Sequence, residues 1–142
     1  MTHEGDLKRV IDFFESLSPD SVDALGAIYT EEAYFKDPFN EVHGLAAIQS
    51  IFRHMFVQVD DPGFVITTHM VQASEAFLTW DFLFSAKRLS KSEVCIRGAT
   101  HLRFGIDGRV AYHRDYWDVA EELYEKLPLV GTLMRVLKKA AK

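Results

Sequence analysis

The sequence predicts an α+β domain, helices packed on one face of a curled antiparallel sheet, and three observations predict it. Apolar residues follow helical spacing in the first 59 residues, alternating β-branched and aromatic segments fill the stretch from 64 to 118, and helical spacing returns afterwards. Neither linkers nor internal repeats interrupt the chain, so residues 1–142 read as a single domain.

Each element has its own signal. Leu7, Val10, Ile11, Phe13, Phe14 and Leu17 make one helix, and "SPDS" ends it. A second helix is expected from about Ser21 to Tyr29, on Val22, Leu25 and Ile28. "AYFKDPF" is a short strand stopped by Pro38, which restricts Asp37 to extended geometry. "GLAAIQSIFRHMFVQV" carries the broad apolar stripe of a third helix. "DDPG" marks a turn, after which "FVITTHMVQA", "AFLTWDFLFSA", "EVCIRGATHLRFGI" and "RVAYHRDYWD" form a four-stranded antiparallel meander. "SAKRLSKSE" is a solvated hairpin tip, and the "DG" at 107–108 is a tight turn. Asp118 and Glu121 make a capping box for "VAEELYEKL", which Pro128 ends. In the final helix Leu129, Val130, Leu133, Val136 and Leu137 oppose Arg135, Lys138, Lys139 and Lys142. That pattern over residues 129–142 suits an anionic membrane surface, a pocket lid or a partner subunit.

Composition narrows the functional classes. With 48% hydrophobic and 26% charged residues the chain can build a core, and a net charge of -5 gives no footprint for nucleic acid. The single cysteine, Cys95, excludes an internal disulfide and a cysteine-rich metal cluster. "MTHEGDLKRV" has no apolar leader region, and no run approaches a membrane span, so the expected location is cytoplasmic.

The candidate chemistry lies in carboxylates on apolar segments: Asp37, Asp81 in "FLTWDFLF", and Asp115 in "HRDYWD". Strand alternation puts His113, Asp115 and Trp117 on one face and Arg114, Tyr116 and Asp118 on the other. A buried carboxylate must be paired, hydrated or put to use. The structural alternatives are a turn cap, an ion pair with Arg97 or Arg114, or a solvated face. His113 is either oriented by Asp115 as an acid or base, or a satisfied core histidine. The six histidines show no metalloprotease spacing, and no metal or other cofactor is expected.

Two motifs carry a resemblance: "IYTEEAYFKDP", followed by His43-Gly44 and Ile48, and "VAYHRDYWDVAEELYEKLPL". From residue 7 to about 128 the chain resembles the nuclear transport factor 2 superfamily, in the branch of ketosteroid isomerases, limonene-type epoxide hydrolases and SnoaL-like polyketide cyclases. The resemblance implies a cone-shaped curled sheet, a homodimer and a pocket for a small hydrophobic molecule. The isomerase base falls on Asp37, while its two oxyanion-hole positions hold Phe13 and Thr100. The two epoxide hydrolase aspartates fall on Asp81 and Asp115. Its bridging arginine, tyrosine and asparagine positions hold Thr79, Phe35 and Asp37. Phe13, Phe35, Phe39, Leu83 and Trp117 would wall the cone. The implied function is cofactor-independent acid-base catalysis on a hydrophobic carbonyl or epoxide compound. A non-catalytic hydrophobic-ligand binder and a structural or adaptor subunit are the alternatives.

Overall fold

The computed structural model describes residues 2–86, 92–126 and 128–141. Helix α1 (Glu4–Glu15) buries Leu7, Val10 and Phe14, three positions on one helical face. The expected second helix is a 3-10 segment, Asp20–Ala27, and Tyr29 already opens strand β1 (Tyr29–Lys36). A short strand, β2 (Glu41–His43), folds back on β1, and α2 (Leu45–Gln58) buries Ile48 and Phe52. The meander follows as β3 (Asp60–Gln72), β4 (Glu75–Ser85), β5 (Val94–Phe104) and β6 (Val110–Tyr116). A one-turn helix α3 (Val119–Glu122), a 3-10 turn (Tyr124–Lys126) and α4 (Pro128–Ala141) end the fold.

The six strands lie in the order β2-β1-β6-β5-β4-β3. The sheet is mixed rather than antiparallel throughout, because β1 and β6 run parallel. Strand parity explains this correction. The chain leaves β2, passes through α2 to the far edge of the sheet, and returns by four alternating strands, which bring β6 beside β1 in the same direction. The "DDPG" turn is absorbed into β3, where Pro62 sits on an edge strand whose outer side needs no donor. Gly108 adopts φ 81° in the "DG" turn, as only glycine does cheaply. The tip of the predicted β4–β5 hairpin, residues 87–91, lies outside the described residues.

Alternation decides which residues face the core. In β4, Ala76, Leu78, Trp80 and Phe84 are buried beneath the helices, together with Val94, Ile96, Thr100, Leu102 and Phe104 of β5. Their neighbours point the other way. Thr79 is exposed, and its hydroxyl lies 2.7 Å from that of Thr67. On that outer face Arg97 donates to Glu122 from its backbone (2.7 Å), Nε (2.9 Å) and Nη2 (2.8 Å). Those bonds pin α3 to the sheet and hold the buried Glu122 carboxyl down from 4.5 to about 2. Asp118 caps α3 by accepting from Glu121 N at 3.1 Å.

Helix α4 meets the body through Gly131, which is buried against Glu125, and through Arg135, which donates to the Glu125 carbonyl at 2.8 Å. Val130, Leu133, Val136 and Leu137 remain 40% to 59% exposed. Among the described residues no helix is long and apolar enough to cross a membrane.

Candidate active site

A chain of buried polar groups crosses the concave side of the sheet. Trp80 Nε1 donates to Thr100 Oγ1 at 2.7 Å, and Thr100 Oγ1 donates to Asp115 Oδ1 at 2.6 Å. From the opposite side His113 Nε2 lies 2.6 Å from the same Asp115 oxygen, and His113 Nδ1 lies 2.7 Å from the Tyr29 hydroxyl. A carboxylate can only accept, so Nε2 carries a proton; in the neutral ring Nδ1 then accepts from Tyr29. Burial, with Asp115's charge adding to it, pushes the Tyr29 hydroxyl well above its ordinary range, so it stays a donor.

Strand register builds this arrangement. Thr100 pairs with Asp115, Leu102 with His113 and Phe35 with His113, so β5, β6 and β1 present these side chains side by side on one face. Trp80 comes from β4, opposite Gly98 of β5. Aromatic packing fixes the imidazole, with Phe35 at 4.6 Å and Tyr29 at 5.8 Å between ring centres.

Two adjoining chambers meet at Asp115. The inner one, about 40 Å³, is lined by apolar residues including Ile11, Phe14, Ile66 and Leu78, with His113 and Thr100 at its polar end. It has room for a few waters at most. The outer one, about 390 Å³, is walled by Phe35, Phe64, Trp80, Phe82 and Trp117, with Asp37, Asn40 and Ser50 also on its lining. That size suits a small ligand. Phe52, Phe64, Trp80 and Asp115 border both chambers. Both hydrogen bonds to Asp115 end on Oδ1, and Oδ2 accepts none from the described residues.

The predicted site residues separate into two groups. Asp37, Phe35, Phe39, Asp115 and Trp117 line the outer chamber, and Thr100, His113 and Asp115 line the inner one. Asp37 is also a turn cap. Its Oδ1 accepts from the backbone of Phe39 (2.8 Å) and Asn40 (2.7 Å), and Asn40 Nδ2 donates to both oxygens. Asp81, Thr79 and Leu83 line neither chamber, because they alternate with Leu78, Trp80 and Phe82, which do. The Asp81–Asp115 pair is therefore not formed across the cavity. Phe13 packs on the rim of the core against Phe14, and Phe14 takes the cavity position.

Sequence reasoning missed Tyr29 and Trp80 as members of the polar chain. Nothing local marks Tyr29, whose partner is 84 residues away. A signal for Trp80 was present, since Ala76, Leu78, Trp80, Phe82 and Phe84 form an unbroken apolar alternation. Among the described residues no group of three or more His, Cys, Asp or Glu is placed to hold a metal ion.

Comparison with known proteins agrees with this architecture. No functionally curated protein matches the sequence. Among solved structures, the chain is similar to a hypothetical protein with a ketosteroid isomerase-like fold from Catenulispora acidiphila DSM 44928, in complex with trimethylamine. That similarity has a TM-score of 0.74 at 15% identity, covering 88% of this chain and 95% of that one. It is similar to an NTF2-like protein of unknown function from Burkholderia pseudomallei K96243, with a TM-score of 0.72 at 14% identity and coverage of 85% and 95%. An LEH-like epoxide hydrolase from M. tuberculosis gives a TM-score of 0.69 at 16% identity, covering 96% of both chains. At such identities these likenesses establish the fold alone, NTF2-like and open to several chemistries. The sequence itself goes further, because the SnoaL-like domain pattern runs from residue 10 to 113, from α1 to the histidine beside Asp115, and the chain belongs to the SnoaL-like family.

Proposed function

We propose that this protein is a cofactor-independent acid-base enzyme acting on a small hydrophobic carbonyl or epoxide compound, with Asp115 as the group that moves the proton. One observation carries the reading. Asp115 sits where an apolar chamber opens into a larger one, with one oxygen anchored by Thr100 and His113 and the other without a bond from the described residues. An anchored carboxylate with a free oxygen can take a proton from carbon beside a carbonyl and return it elsewhere, or activate water against an epoxide. His113, with Tyr29 behind it, keeps the carboxylate oriented and shares the negative charge. Asp37 stands at the chamber lining with its oxygens held in a turn, suited to orienting the polar end of a ligand.

Proton exchange tests this whatever the product. Small β,γ-unsaturated ketones and terminal epoxides, incubated with the protein in deuterated water, should show enzyme-dependent deuterium uptake or hydrolysis by NMR. Asp115→Asn should lower the rate by about 10²- to 10⁴-fold. Turnover that survives Asp115→Asn would remove the assignment. A binding module is the second reading, because Trp80 and Thr100 spend their protons inside the network and leave none for a developing oxyanion. In that case no substrate exchanges, and Asp115→Asn retains affinity for neutral ligands. The Catenulispora neighbour adds a small organic amine to the ligands worth offering.

We assign the outer sheet face to a homodimer. Val65, Met70, Phe77 and Tyr116 are 46% to 61% exposed there. Glu75 and Arg103 beside them, paired with each other at 3.1 Å, put both signs of charge next to the apolar patch, which suits a surface that meets its own copy.

A further inference from the structure

The outer chamber has an unusual charge balance. Phe35, Phe39, Phe64, Trp80, Phe82 and Trp117 contribute aromatic rings to its lining, and Asp37 and Asp115 contribute carboxylates. Among the described residues neither lysine nor arginine lines it, its basic lining group is the exposed His54, and neither carboxylate has a lysine or arginine partner. Their hydrogen bonds come from neutral donors: His113 and Thr100 for Asp115, and the 39–40 backbone with the Asn40 amide for Asp37. Carboxylates beside apolar walls are costly without a counter-charge. Aromatic faces present their negative side to a cation, and a ring of them excludes the strongly hydrated inorganic ions.

We propose that the outer chamber receives a small alkylated ammonium group, its charge set against Asp115 and Asp37 and its alkyl groups against the aromatic walls. This rests on the reading of that chamber as the ligand site, and it names the substrate class as an amine-bearing hydrophobic compound. A weakly hydrated, bulky cation satisfies both halves of the lining. A neutral molecule of the same shape satisfies only the rings. A metal ion is not provided for, since among the described residues no three His, Cys, Asp or Glu side chains come together to hold one.

The chain contains two tryptophans, Trp80 and Trp117, and both line this chamber. Intrinsic tryptophan fluorescence therefore reports on the site. The probes are choline and 3,3-dimethyl-1-butanol, which has the same shape without the charge. The expected result is a saturable fluorescence change with choline, at a concentration at least tenfold below that for the alcohol. In Asp115→Asn, checked for folding by far-UV circular dichroism, choline should weaken toward the level of the alcohol, with Asp37 left as its remaining carboxylate. The inference is overturned if the alcohol binds as tightly as choline, or if neither gives a saturable change. The comparison on the unmodified protein decides the matter even where the variant fails to fold. It is also separable from the catalytic proposal. Equal binding of the neutral probe, with deuterium exchange intact, removes the cation and keeps the enzyme. Choline binding without any exchange does the reverse.

Discussion

Gly98→Ala should disturb the whole polar chain from a position that touches none of its hydrogen bonds. A Cβ built on Gly98 would lie 2.5 Å from Trp80 Cζ2 and 2.9 Å from Cζ3, and closer still to Cη2. Gly98 has an ordinary backbone conformation, so the cost is entirely in the indole above it. Reaching normal carbon–carbon contact requires the ring to retreat by roughly 1 Å. Trp80 is buried, and its Nε1 is committed to Thr100 at 2.7 Å, so a shift of that size breaks the bond or drags Thr100 from Asp115. Overpacking of a tight core costs about 1–3 kcal/mol. A lost buried hydrogen bond adds about 0.5–1.5 kcal/mol. The expected destabilisation is therefore about 2–4 kcal/mol in urea unfolding followed by far-UV circular dichroism, with a shifted tryptophan emission in the folded state. A change below about 0.5 kcal/mol with unaltered emission would mean that the ring moves freely and does not position Thr100.

Three other outcomes follow from named contacts. Tyr29→Phe leaves His113 Nδ1 without its donor in a buried site, which should cost about 1–3 kcal/mol in urea unfolding and shift the imidazole nitrogen resonances; unchanged resonances would deny the bond. Glu122 titrates near 2 when folded against 4.5 ordinarily, so its contribution is full above about pH 4.5 and is lost as pH falls toward 2. Glu122→Gln should flatten the melting temperature across that acid window and cost about 1 kcal/mol at neutral pH, modest because Arg97 is 66% exposed; an unchanged acid slope would refute the linkage. Phe77→Glu places a charge on the outer sheet face, where Phe77 is 50% exposed, and should convert a dimer to a monomer in sedimentation velocity; a monomeric unmodified protein would remove the assigned interface.

The fold was legible where a local pattern has one physical solution. The alternation in β4 and the helical stripes of α1 and α2 each follow from burying one side of a periodic element. The site was legible only in part. Strand phase alone puts Asp115 and His113 on one face with Trp117, which makes them candidates. Asp81 failed on the same rule, since its phase is opposite to that of the apolar run around it and the motif resemblance pointed elsewhere. Phe13 and Phe14 differ by one helical step, and only packing against β3 and α2 shows that Phe14 is the one turned inward.

By itself, the sequence determined the layered architecture, the turn at Gly108, the cap at Asp118 and the shared face of His113 and Asp115. These depend on backbone geometry and on neighbours within a few residues. Tertiary structure alone decided that β1 runs parallel to β6, that Tyr29 reaches His113, and that Trp80 and Thr100 hold Asp115 at the meeting of two chambers. Those relations join residues 15 to 84 positions apart in the chain. Strand order and register set them, and no local preference encodes which strands will lie side by side.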